Sequence, residues 1–79
     1  MILKGSLILN NKFEEYTALL DEVNLSFRIS INSPHSISMR QFTYKLDFNK
    51  VKNKIDEQNY IRIFKQEIRG AMKARYSST

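Results

Sequence analysis

The sequence predicts a small α+β domain with the order strand, helix, strand, strand, short helix, longer helix. Its sheet is three-stranded and mostly antiparallel, and the helices pack on one face. Three observations predict this. The chain has 79 residues and is 42% hydrophobic, an ordinary globular fraction at a length that makes one domain burying only about 60% of its unfolded surface. Apolar residues alternate with period two in "LSFRISIN". They recur at spacings of three and four in residues 13–23 and again in 60–76, the helical period.

Residues 1–9 read as a strand, because Leu3, Leu7 and Leu9 share one parity and Lys4 and Ser6 the other. Asn10 and Asn11 interrupt it. Asn11 is placed as a helix cap with Glu14 in the capping-box position. A helix then follows in which Phe13, Tyr16, Leu20 and Val23 form an apolar stripe widened by Leu19, with Asn24 as its stop. Leu25, Phe27, Ile29 and Ile31 alternate with Ser26, Arg28, Ser30 and Asn32 in the clearest strand of the chain. "NSPHS" is turn chemistry, since Pro34 pre-sets its φ and Asn32 and Ser33 favour local hydrogen bonds.

A further strand runs from Ile37 to about Asp47 and changes phase along its length. Ile37 and Met39 have one parity, and Phe42, Tyr44, Leu46 and Phe48 the other. A β-bulge near Arg40 and Gln41 would turn both sets to the core; without it, aromatic side chains lie on the outer face. In the tail, Phe48, Val51 and Ile55 share one helical face, and Ile61, Phe64, Ile68, Ala71 and Met72 share another. These faces differ by about a quarter turn at 100° per residue, so a break is expected around "DEQN". Asp47 is a candidate cap for the first helix and Asp56 or Asn59 for the second. The domain is expected to span 1–76, with 77–79 a frayed tail.

The formal charge is +5 and unevenly placed: residues 1–47 hold five basic and five acidic groups, residues 48–79 eight basic and three acidic. The excess concentrates on the last helix. There Arg62, Lys65, Arg69 and Lys73 occupy a sector of about 80°, forming a line about 16 Å long. Tyr76 falls in the same sector and Gln66 at its edge. Such a line suits successive phosphates, and Tyr76 is expected to add stacking. Arg75 points towards the apolar side, where it must fray or snorkel. Lys4, Arg28 and Lys45 are expected on the outward face of the sheet as a second basic surface, with Asp47 its only nearby acid.

Other chemistry is thinly represented. The chain has no cysteine and one histidine, His35, set in a turn among serines. Neither a nucleophile held by an oriented base nor a zinc ligand set can be assembled from these. Glu14 with Asp21, and Glu15 with Glu22, are paired acids on the solvent side of the expected first helix. Gly5 and Gly70 are isolated, so no phosphate-cradling loop forms. No Gly-x-x-Gly loop of the KH type and no aromatic strand signature of the RRM type is present. The expectation is therefore a protein without enzymatic activity, cofactor or metal.

The primary functional expectation is nucleic-acid binding (RNA or DNA) through Arg62, Lys65, Arg69, Lys73 and Tyr76, assisted by Arg28 and Lys45. The alternative is a protein-interaction module that docks on an acidic partner, such as a phage-encoded inhibitor or adaptor of a host protein. The richness in Asn, Lys, Ile and Ser without Trp is what an AT-rich phage, plasmid or low-GC bacterial gene encodes. A homodimer through a sheet edge is a further expectation, because small sheets leave edges to cover. The absence of cysteine, of a secretory h-region and of any apolar run longer than three residues leads to a cytoplasmic expectation without membrane association.

Overall fold

The computed structural model describes residues 1–32 and 40–76. It is an α+β domain with a four-stranded antiparallel sheet and two helices. The strands are β1 (Ile2–Leu9), β2 (Lys12–Asp21), β3 (Ser26–Asn32) and β4 (Arg40–Lys45), and the helices are α1 (Phe48–Val51) and α2 (Tyr60–Tyr76). Strand order in the sheet is β1-β2-β3-β4, a simple meander with β1 and β4 at the edges.

The expected first helix is a strand. Asn10 and Asn11 have φ of 51° and 67°, the left-handed values a two-residue type I′ hairpin needs at both central positions. They close β1 onto β2 with Leu9 opposite Lys12, so neither Asn11 nor Glu14 caps a helix. The count of strands therefore rises from three to four. Asn24 stops nothing helical. It sits in the β2–β3 turn, where Asp21 Oδ1 accepts from the backbone N–H groups of Val23 and Asn24 at 3.0 and 3.2 Å. Leu25 belongs to that turn, with φ of 50°.

Period two now sorts the sheet. Leu3, Leu7, Leu9, Tyr16, Ala18, Phe27, Ile29 and Ile31 are buried on the inward face, and Phe42 and Tyr44 share that face because they stand opposite Ile29 and Phe27. Pairing runs unbroken from Arg40 to Lys45, so no bulge occurs within those residues. Ile37 and Met39, the turn around Pro34 and His35, and the tail 77–79 lie outside the described residues.

The break between the helices falls where the two apolar faces demanded it. Asp56 Oδ1 accepts from the N–H groups of Gln58 and Asn59, and Asn59 Oδ1 accepts from the Asp56 N–H. The Asn59 carbonyl then takes the first helical bond, from Ile63. Asp47 precedes α1 but makes no side-chain cap. In α2, Ile63, Phe64, Ile68 and Met72 are buried, while Ile61, expected in the core, is 42% exposed. Ile63 and Val51 belong to the same apolar cluster as the inward face of the sheet, with Ile55 packed against it.

Helix α2 runs lengthwise along the strands. Phe64 meets Phe27 edge-to-face at 5.5 Å, a contact worth about 0.5–1.5 kcal/mol beyond area burial. At its other end Asn10 Nδ2 donates to the Tyr76 carbonyl at 3.0 Å. Of the four strands α2 approaches β1 most closely. The inward residues of β4 remain only half-buried.

Gly5 permits the close packing of β1 on β2. A Cβ there would lie 2.6 Å from Cζ of Tyr16 and clash with its hydroxyl. Gly5→Ala should cost about 1–3 kcal/mol through overpacking. The Tyr16 hydroxyl is buried without a hydrogen-bond partner among the described residues. Tyr16→Phe should therefore raise stability by about 1 kcal/mol, and urea midpoints of the two variants check both signs.

Candidate nucleic-acid interface

The basic line of α2 begins with helix geometry. Positions 62, 65, 69 and 73 repeat at spacings of three and four, so their side chains stack along one flank. The buried face is set by Phe64, Ile68 and Met72, which leaves the line beside that face rather than directly opposite it. Arg62 and Lys73 are exposed, and Lys65 and Arg69 are half-buried. The flank faces the β1 side. Arg69 is close enough to Tyr16 of β2 to act electrostatically on its phenol.

Among the described residues, none of the four cations forms an ion pair; the ion pair there joins Arg40 to Glu14. The acid of the helix, Glu67, lies on the opposite flank and accepts a hydrogen bond from the Tyr44 hydroxyl at 3.1 Å. The line is thus a run of uncompensated positive charge.

The other expected site residues are placed elsewhere. Tyr76 does not present its ring beside the basic line. It packs edge-on against Phe42 at 5.6 Å, with the Arg40 guanidinium 5.1 Å above it. Arg75 covers the Phe42 ring at 5.1 Å, the snorkelling contact its wheel position implied. Arg28 and Lys45 lie on the outward face of the sheet, across the strands from the α2 layer.

That outward face is less basic than the sequence suggested. Once β2 is a strand, Glu15 and Asp21 join Lys4, Arg28 and Lys45 there. Exposed Ile2 stands opposite Leu19 and exposed Ile8 opposite Phe13. The surface is mixed in charge and partly apolar.

Sequence reasoning missed the polar cluster at the upper end of the core. Glu14 is 5% exposed and faces inward from β2. Its Oε1 pairs with Arg40 Nη2 at 3.1 Å, and its Oε2 has no hydrogen bond among the described residues. Arg40 thus ties β4 to β2 and, through Tyr76, to the C-terminal end of α2. The signal was faint: once Glu14 is assigned to a strand, its parity with Tyr16 and Ala18 places it inside.

Among the described residues, no group of three or more histidine or carboxylate side chains could hold a metal ion, and no helix is long and apolar enough to cross a membrane. Comparison with protein-family models, with curated proteins and with solved structures finds no match to this chain.

Two phenols link the helix to pH. Burial pushes Tyr16 above the ordinary tyrosine value near 10, against the opposing pull of Arg69. Burial also raises Tyr44, and its hydrogen bond to Glu67 and the charges of Glu67 and Asp47 raise it further. The fold thus favours the protonated phenols. This contribution is complete below about pH 10 and is lost as pH rises through the higher folded-state values. Stability should fall above pH 10, and the fall should be shallower in Tyr16→Phe and Tyr44→Phe, as read from urea unfolding between pH 8 and 11.5.

Proposed function

We propose that this protein binds nucleic acid without catalysis, holding phosphates along the β1-side flank of α2 with Arg62, Lys65, Arg69 and Lys73. One observation carries the reading: the four cations line one helix flank and none is paired with an acid among the described residues. A core helix needs only a polar outer face, and mixed signs would serve equally well. Here the acid of α2 sits on the other flank with Tyr44 as its donor, so no acid of the helix interrupts the line of four.

The chemistry follows from the residue types. Arginine can grip a phosphate with two parallel N–H donors, and lysine adds a mobile point charge. Phosphate contacts carry no sequence information. With Tyr76 turned away to Phe42 and Arg40, no ring stacks on bases from this flank. Binding is therefore read as sequence-independent and electrostatic. Arg28 and Lys45 play no part in it, because they occupy the far face of the sheet beside Glu15 and Asp21.

Counterion release makes the test quantitative. Fluorescence anisotropy with a labelled 20-nucleotide single strand and a matching duplex, at 50 and 200 mM salt, should show affinity falling steeply with salt. Arg62→Gln combined with Lys73→Gln removes two exposed cations without touching the core. It should weaken binding and lower the log–log salt slope by roughly 1.4–1.8 units. Affinity and slope unchanged in that variant would refute the assignment.

A further inference from the structure

The opposite flank of α2 faces an open groove of about 640 Å³ whose other wall is the edge strand β4. Two features make this groove unlike a simple gap. First, among the described residues no strand pairs with the outer edge of β4 at Thr43 and Lys45. Leu46 donates to the Leu25 carbonyl, which fixes the pair Leu25–Leu46 as a hydrogen-bonded one. Such pairs alternate along an antiparallel ladder, so Phe42 and Tyr44 direct their backbone groups to β3. Thr43 and Lys45 direct theirs outwards, where no backbone partner meets them among the described residues.

Second, the helix wall is low and the sheet beneath it is only partly covered. Gly70, Ala71 and Ala74 line the groove, and a Cβ added at Gly70 would meet nothing within 4 Å. Phe42 and Tyr44 remain half-buried at its floor. Lys50 and Arg75 stand around it and Lys45 borders it from the outward face of β4, with Glu67 the acid, already engaged by Tyr44.

We propose that this groove is a docking site for an extended acidic peptide segment of a partner protein, added to the sheet as a fifth strand beside β4. The exposed edge offers N–H donors and C=O acceptors in alternation, which an extended polypeptide satisfies on both counts. A phosphodiester backbone offers acceptors only, so nucleic acid leaves the carbonyls of Thr43 and Lys45 unmatched. The cations select carboxylates. A second copy of this chain paired β4 to β4 would bring together two edges that both carry Lys45, Lys50 and Arg75, and like charges oppose that assembly. The small residues of α2 leave room for inward-pointing side chains of the incoming strand. This surface lies on the other flank of α2 from the basic line, so the two proposals stand or fall separately.

The experiment uses the intact chain and the synthetic peptide Glu-Val-Glu-Thr-Glu-Val-Glu, with its all-glutamine counterpart as control. Binding is followed by NMR titration and amide exchange. The acidic peptide should bind at least tenfold more tightly than the control, and exchange at the Thr43 and Lys45 amides should slow at least tenfold. Gly70→Gln fills the groove while replacing a poor helix former by a better one, so the variant stays folded. It should reduce peptide affinity at least tenfold. Lys45→Glu with Lys50→Glu should reverse the preference towards a lysine version of the peptide.

Equal binding of the acidic and glutamine peptides would overturn the proposal. So would binding without protection of Thr43 and Lys45, or undiminished binding by Gly70→Gln. Displacement of the peptide from the groove by a single-stranded oligonucleotide would assign the groove to nucleic acid instead, and a β4-mediated dimer in sedimentation would assign it to a second copy.

Discussion

One helix has to cover four strands. The inward face of the sheet is about 19 Å wide at the usual strand spacing, and a helix with its side chains is about 10 Å across. Because α2 runs along the strands, it cannot shield the whole face. It settles towards β1, buries Phe64, Ile68 and Met72 with Phe64 against Phe27, and leaves β4 half-covered. The two candidate surfaces follow from that offset. The flank over β1 carries the unpaired cations, and the flank over β4 overlooks the groove.

The ends of α2 hold this arrangement in place. At the first end the aromatic contact with Phe27 and the Asp56–Asn59 turn fix where the helix starts. At the second, Asn10 holds the final carbonyl, and Arg40 joins Tyr76 to the buried Glu14. A carboxylate in that position is costly without a partner. Arg40 is therefore as much a part of the core as the apolar residues around it, although it lies on an edge strand and is partly exposed. The cluster also explains why Tyr76 is unavailable to a ligand on the basic flank.

The same cluster explains what the sequence concealed. β1, β3, the helix break and the basic line were legible, because Leu3, Leu7 and Leu9, then Phe27, Ile29 and Ile31, alternate cleanly, and residues 60–76 keep a helical period. β2 was not legible by period. Its inward set includes Glu14, and its outward set includes the exposed Phe13 and Leu19, which pair across the strand with Ile8 and Ile2. An acid inside and hydrophobes outside erase the period of two and leave spacings that mimic a helix. The two asparagines of the hairpin carried the contrary signal, since a pair of residues tolerant of positive φ between apolar runs marks a type I′ turn. The misreading then spread to the site, for a helix at 13–23 removed Glu15 and Asp21 from the outward face and made Arg28 and Lys45 look basic and available.

The four cations Arg62, Lys65, Arg69 and Lys73 share one flank of α2 without an ion pair among the described residues, and the acid of the helix is held by Tyr44 on the other. The most direct measurement is an NMR map of backbone and side-chain shifts as an unlabelled single-stranded oligonucleotide is added to the intact protein at low salt. The predicted result is a continuous track of perturbation through Arg62, Lys65, Arg69 and Lys73, with Arg28 and Lys45 unmoved. A track across the outward face of the sheet at Arg28 and Lys45, or no saturable perturbation at all, would contradict it.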